Sequence, residues 1–235
     1  MKNTISVILL LILSFSLFSA EADPAAVLKE KLKEFKKQLH EISVLASKRE
    51  QNSIVEAVQK GETLINHVLP YRTKAVEFIE FELYARQVIA GVYLHRLGMG
   101  LKAISHYNVI ITDEYFKKNA PAFIKWVVYE GLGLAYFVQD KNENALSAFL
   151  SSYKFAHEIL VKEPAKGKSC IVSTSYNLAS VYARLNSPIN AVKHLQIAME
   201  NSISDAARAA LKKMIKEDRV FTGFYNIAEF RALLR

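Results

Sequence analysis

From Ala25 onward, apolar residues recur at steps of three and four, and no stretch shows the strict alternation of a half-buried strand. Leu28, Leu32, Phe35, Leu39 and Ile42 fall on one stripe of a first helix. Under three heptads long, that stripe suits one face of a packed hairpin, or a short dimer seam. Asn52 is placed to cap a second helix, Ser53 to Leu69, which Pro70 ends. A long helix is predicted over Thr73–Leu97, broken by Gly98-Met99-Gly100, and another over Leu101–Ile111. Pro121 fits the first turn of a helix reaching Gln139, and Asn142 opens one reaching Lys162. Glu163-Pro164-Ala165-Lys166-Gly167 reads as a loop. Helices over Ser169–Leu185, Pro188–Asn201, Asp205–Lys216 and Ala228–Leu234 complete the chain, the last after a turn at Thr222-Gly223. The expected class is all-α.

The first residues carry a different pattern. Lys2 precedes an apolar, Ser-containing run from Ile5 to Phe18, which ends in Ala20-Glu21-Ala22. That run of about 14 residues is shorter than the roughly 20 that span a bilayer. With a small-x-small site after it, residues 1–22 are expected to be a cleaved signal peptide. No Cys stands near the cleavage point to accept a lipid, so Asp23 would begin an exported, non-lipoprotein chain. Residues 23–70 then form an N-terminal helical hairpin, and residues 71–235 the remainder.

Within that remainder three segments repeat one arrangement. The clearest runs Tyr129, Leu132-Gly133, Tyr136, then Ala145, Phe149 and Ser152. A small residue on each helix (Gly133, Ala145) lets two axes approach while Tyr136 and Phe149 fill the space around them. Gly91 with Ala103, and Ala179 and Tyr182 with Ala191, hold the matching positions in the other two segments. This helix–turn–helix pattern resembles the tetratricopeptide (TPR) family. Tyr176–Ala183 followed by Phe221 and Phe230–Leu234 resembles the terminal TPR unit of many bacterial proteins, where the tail covers the last apolar face. Ala57 and Leu64 suggest a degenerate copy upstream. The alanines 57, 103, 145 and 191 lie 46, 42 and 46 residues apart, longer than the roughly 34-residue family repeat. The resemblance implies an α-solenoid of lengthened helix pairs with a C-terminal capping helix.

It also implies a concave groove lined by the first helix of each pair, which receives a peptide or helix of another protein. On this chain the groove positions would be Val88, Val92, His95 and Arg96; Glu130, Leu134 and Phe137; and Tyr176, Asn177, Ser180 and Arg184. The Lys-x-x-x-Asn clamp by which some TPR domains hold a terminal carboxylate is missing, with Asn177 and Arg184 its only remnants.

Charge and chemistry change this picture little. The net charge of +8 is spread in mixed runs such as Lys29-Glu30-Lys31, the mark of solvated helix faces. Attraction to acidic partners or an anionic membrane surface is the functional counterpart. Composition points to no nucleic-acid module. A single cysteine, Cys170, leaves no internal disulfide. His40, His67, His95, His106, His157 and His194 form neither HExxH nor a zinc spacing. Gly167-Lys168-Ser169 echoes a phosphate loop, but Lys162 stands where its first glycine belongs, and no strand precedes it. No enzyme, metal or cofactor is expected. The expected role is an exported scaffold, periplasmic or secreted, binding another protein. The runner-up is a carrier or sensor of an apolar small ligand such as a lipid, using aromatics that include Tyr84, Tyr93 and Phe137.

Overall fold

Asp23 starts the fold. Its carboxylate accepts from the Ala25 amide at 3.1 Å, and Pro24 follows in the first helical position, so the two residues nucleate a 24-residue helix. The computed structural model describes residues 23–235; the expected signal peptide, 1–22, lies outside the described residues. Helix α1 (Pro24–Ser47) is followed by α2 (Gln51–Val68), a 3-10 turn at Leu69–Tyr71, α3 (Val76–His95) and α4 (Gly100–Thr112). Next come α5 (Glu114–Asn119), α6 (Ala122–Phe137), α7 (Asn142–Lys162) and α8 (Pro164–Arg184). The C-terminal part is α9 (Pro188–Asn201), α10 (Asp205–Glu217), a 3-10 segment Arg219–Asn226 and α11 (Ala228–Leu234). The described residues are all-helical, with no strand.

Three local expectations are corrected. Asn52 does not cap α2: it lies inside the first turn, and Glu50 is the capping position, its carboxylate accepting from the Ser53 hydroxyl at 3.3 Å. Residues 113–120, where periodicity predicts no element, hold α5. Asp113 caps it through the Phe116 amide at 3.1 Å, and Phe116 is buried below. Finally, Glu163–Gly167 is not a loop. Only Glu163 stands between α7 and α8, because Pro164 takes the first helical position, and Gly167 has no side chain to hit α7. A Cβ on Gly167 would lie 2.2 Å from Leu160 Cα and 2.4 Å from its nitrogen.

The long helices from α1 to α9 pack in chain order, α4 reaching past the short α5 to α6, and α1 also touches α3, α3 touches α6, and α6 touches α8. These four therefore form one row, to which α2, α4, α7 and α9 are paired. The stripe on α1 is spent inside this array: Phe35 meets Tyr71 and Phe78 edge-on at 5.6 and 6.2 Å, and Leu39 and Ile42 are buried beside it. The hairpin 23–70 thus shares one core with the helices that follow it. At the other end Phe221, Phe224, Phe230 and Leu234 close over the apolar faces of α8 and α9.

Two turns are copies of one another. After α6, Asp140 is left-handed (φ 55°), with Lys141 N–H bonded to Tyr136 O and Asp140 N–H to Phe137 O. After α8, Asn186 is left-handed (φ 54°), with Ser187 N–H bonded to Tyr182 O and Asn186 N–H to Ala183 O. Both are Schellman ends, and Asp and Asn are among the few non-glycine residues that tolerate that backbone. Small residues do the packing around them. Ala103, Ala145, Ala179 and Ala191 are fully buried, and a Cβ on Gly133 would fall 2.6 Å from the Phe149 ring. Gly91 is different, since a Cβ there would meet nothing within 4 Å. Tyr136 packs half-buried between two clusters, and Tyr182 stacks on His194 at 5.4 Å.

Candidate binding groove

The row α1–α3–α6–α8 supplies the surface on which a site can be built, and two of its three junctions differ. Between α6 and α8 the space is filled by polar side chains around Glu130. The Ser152 and Thr174 hydroxyls donate to its Oε2 at 2.7 and 2.9 Å. The Ser173 hydroxyl and the Asn177 amide donate to Oε1 at 3.0 and 2.6 Å. Behind them the Trp126 indole N–H donates to Thr174 at 2.9 Å. Burial pushes the Glu130 carboxyl above its ordinary range, while the four hydrogen bonds pull it back down. No cation pairs with it among the described residues. This is a lock joining α6, α7 and α8.

The remaining expected groove residues are also largely engaged. Val92 and Ser180 are buried, and Ser180 donates to Tyr176 O at 3.1 Å. Tyr176 donates to Asp218 at 2.6 Å, and burial with that contact raises its pKa. Arg184 lies on the Phe137 ring at 3.6 Å and donates to Phe137 O and Asp140 at 2.7 and 2.8 Å. Arg96 donates to Lys48 O, and His95 beside it is exposed. Val88 and Leu134 are half-buried against the core. The structure thus joins Glu130 with Asn177 and Phe137 with Arg184, while His95 and Arg96 stand at the far end of α3.

Between α3 and α6 the junction is open. A cavity of about 200 Å³ is floored by Leu83, Ile110, Phe116, Ile124 and Val128, with Tyr84 and Gln87 on its α3 bank. Tyr84 is 54% exposed, high for so large an aromatic. Glu80 is the sole charged side chain in the lining, and the Tyr115 hydroxyl donates to its carboxylate. Glu80 and Tyr84 also border a second, more polar cleft between α3 and α1, where Lys36, His40 and Ser43 face Glu77. Sharing Glu80 and Tyr84, the two clefts flank α3 and together make a trough. None of the residues expected from the repeat pattern lines it; Tyr84, named for an apolar ligand, does. The missed signal is Glu77, Glu80, Tyr84 and Gln87, spaced three, four and three on α3.

The other ionisable clusters hold helices together. Buried Glu82 lies 2.8 Å from Arg72, not aligned for a hydrogen bond, and bonds to Arg86. Arg72 also pairs with Asp113; burial raises that carboxyl, but Arg72 and the Phe116 amide outweigh it and hold it below its usual range. Glu62 accepts from the Tyr93 hydroxyl at 2.9 Å and lies 3.0 Å from His106 Nε2. Burial lowers the His106 pKa against the pull of Glu62. Cys170 is buried, which pushes its thiol up to about 11 and disfavours the thiolate. Among the described residues no group of three His, Cys, Asp or Glu could hold a metal ion, and no helix is long and apolar enough to cross a membrane. Compared with known proteins, the chain matches no family model, no curated protein and no solved structure.

Proposed function

We propose that this chain is an exported α-solenoid scaffold of the tetratricopeptide type. It holds a segment of another protein in the trough across α1, α3 and α6, and one apolar side chain of that segment seats in the α3–α6 cavity. Support for the repeat comes from the paired Schellman turns and from the order in which the helices pack.

The observation that carries the binding role is the size and lining of the cavity. At about 200 Å³ it is somewhat larger than the roughly 150 Å³ engineered cavity that admits benzene in another protein, and below the roughly 300–1,000 Å³ of most small-molecule sites. A Leu, Phe or Trp side chain fits that space. The second reading, a carrier or sensor of an apolar small ligand, draws on the same lining.

The test is a photo-crosslinking amino acid placed at Tyr84 in the exported protein. The scaffold reading expects one discrete protein adduct, lost when Ile124→Trp fills the cavity and absent when the probe sits at Leu150 on α7. An organic molecule extracted from the purified protein, with no protein adduct at Tyr84, would replace the scaffold reading with the carrier.

A further inference from the structure

Resting on that reading, we infer that the segment recognised is basic: a bulky apolar anchor side chain with a Lys or Arg within about three residues of it. The chain as a whole carries +8, so long-range attraction by itself would gather acidic partners. The trough is the exception. The cavity lining contains one charged group, Glu80, and it is a carboxylate. The Tyr115 hydroxyl fixes one of its oxygens and leaves its charge to be met from solvent.

Glu77 lies one turn earlier on the same face, in the continuing cleft, and forms no ion pair among the described residues. Lys36 on the opposite bank gives one ammonium against two carboxylates. From Tyr84 back to Glu77 is two turns of helix, roughly 10 Å at about 1.5 Å per residue. About three residues of extended chain cover that distance. A segment anchored beside Tyr84 therefore brings a neighbouring cation to Glu80 or Glu77, and an acidic segment, or an amphiphile with a carboxylate head, is repelled from the same place.

A random-peptide library selected on the immobilised protein tests this, with Ile124→Trp, Glu80→Lys and Glu80→Gln proteins in parallel. Glu80→Gln keeps an acceptor for Tyr115, so it reports charge with the α5 contact intact. Expected are peptides with a large apolar residue and a Lys or Arg within about three positions, lost on Ile124→Trp. Their Kd should weaken about tenfold on Glu80→Lys at low salt, less on Glu80→Gln, with the gap narrowing as salt rises. Selection on the Glu80→Lys protein should bring in Asp or Glu instead. Cavity-dependent peptides with no basic preference, or a preference that Glu80→Lys leaves unchanged, overturn the charge inference and leave the scaffold standing. Failure to select any peptide that distinguishes wild type from Ile124→Trp overturns both.

Discussion

The junction of α6 with α8 and the junction of α3 with α6 are successive steps of the same row, yet one is closed and the other hollow. The cause lies in the connections. A single residue, Glu163, joins α7 to α8, and the bare Gly167 lets α8 start against the Leu160 backbone. Between α4 and α6 the chain instead inserts α5, whose Phe116 and Tyr115 stand between the neighbouring helices and become the cavity wall. The closed step must then satisfy whatever polar groups it buries, which Glu130 and its four donors do. The hollow step buries little that is polar and keeps its charge, Glu80, at the edge. In one array, connection length decides whether a joint is a lock or a receptacle.

Substitutions can break that contrast, and the largest effect is expected in the lock. Glu130→Leu removes the acceptor of four donors drawn from α7 and α8, and should cost about 3 kcal/mol in urea unfolding; a loss under about 1 kcal/mol would mean the network is decorative. Next, Gly167→Ala drives a methyl into the Leu160 backbone, which cannot rotate away, and should cost about 1–3 kcal/mol. An unchanged melting temperature there would refute the tight corner.

A smaller effect appears as a pH slope. Burial holds the folded Glu130 pKa above its unfolded value. The unfolded state therefore releases this proton first as pH rises. Stability from this group is greatest below the unfolded pKa and declines as pH climbs through the window between the two values. Glu130→Gln should remove that part of the slope in urea midpoints measured across pH, and an identical slope in both proteins would contradict it. His106 has the opposite sense. Its lowered pKa contributes stability that is full above the unfolded value and is lost on acidification.

The smallest effects belong to the open side. Ile124→Phe adds bulk where there is room and should change stability by less than about 1 kcal/mol, against the cost of a methyl at Gly167. Gly91→Ala meets nothing, so helix propensity alone should act and raise stability by up to about 1 kcal/mol. Destabilisation by Ile124→Phe would erase the distinction between the two joints, and destabilisation by Gly91→Ala would contradict the open space around that residue.

What the sequence let through follows the range of the signals. Asn142–Lys162, Pro188–Asn201 and Ala228–Leu234 match the expected helices end for end, because caps, prolines and periodicity act within a few residues. The meeting of Gly133 with Phe149 was legible for another reason, the arrangement of small and aromatic residues that recurs in three segments. The six residues of α5 have one buried apolar side chain and hence no period to read. Pro164 and Gly167 look like loop residues unless the neighbouring helix is already known. The trough was not legible because its lining is spread over α1, α3, α5 and α6, and on α3 the polar Glu77, Glu80 and Gln87 are interleaved with buried Phe78, Phe81, Leu83 and Ile89. Glu130 carried no local signal at all, since its partners lie 22 to 47 residues away.

The one-residue corner at Glu163 also bears on how the chain finds its shape. Closing a long connection costs entropy before any contact rewards it, and here that cost nearly vanishes. The α7–α8 pair joins helices of 21 residues each through contacts that start a few positions apart. In a stack where each unit touches its neighbours, structure can begin at the cheapest pair and spread outward. Folding is expected to nucleate at α7–α8, with the α3–α6 joint and its cavity among the later parts to set. A φ-value near 1 for Ala156, buried in the C-terminal half of α7, beside one near 0 for Ile110, is the kinetic signature of that order.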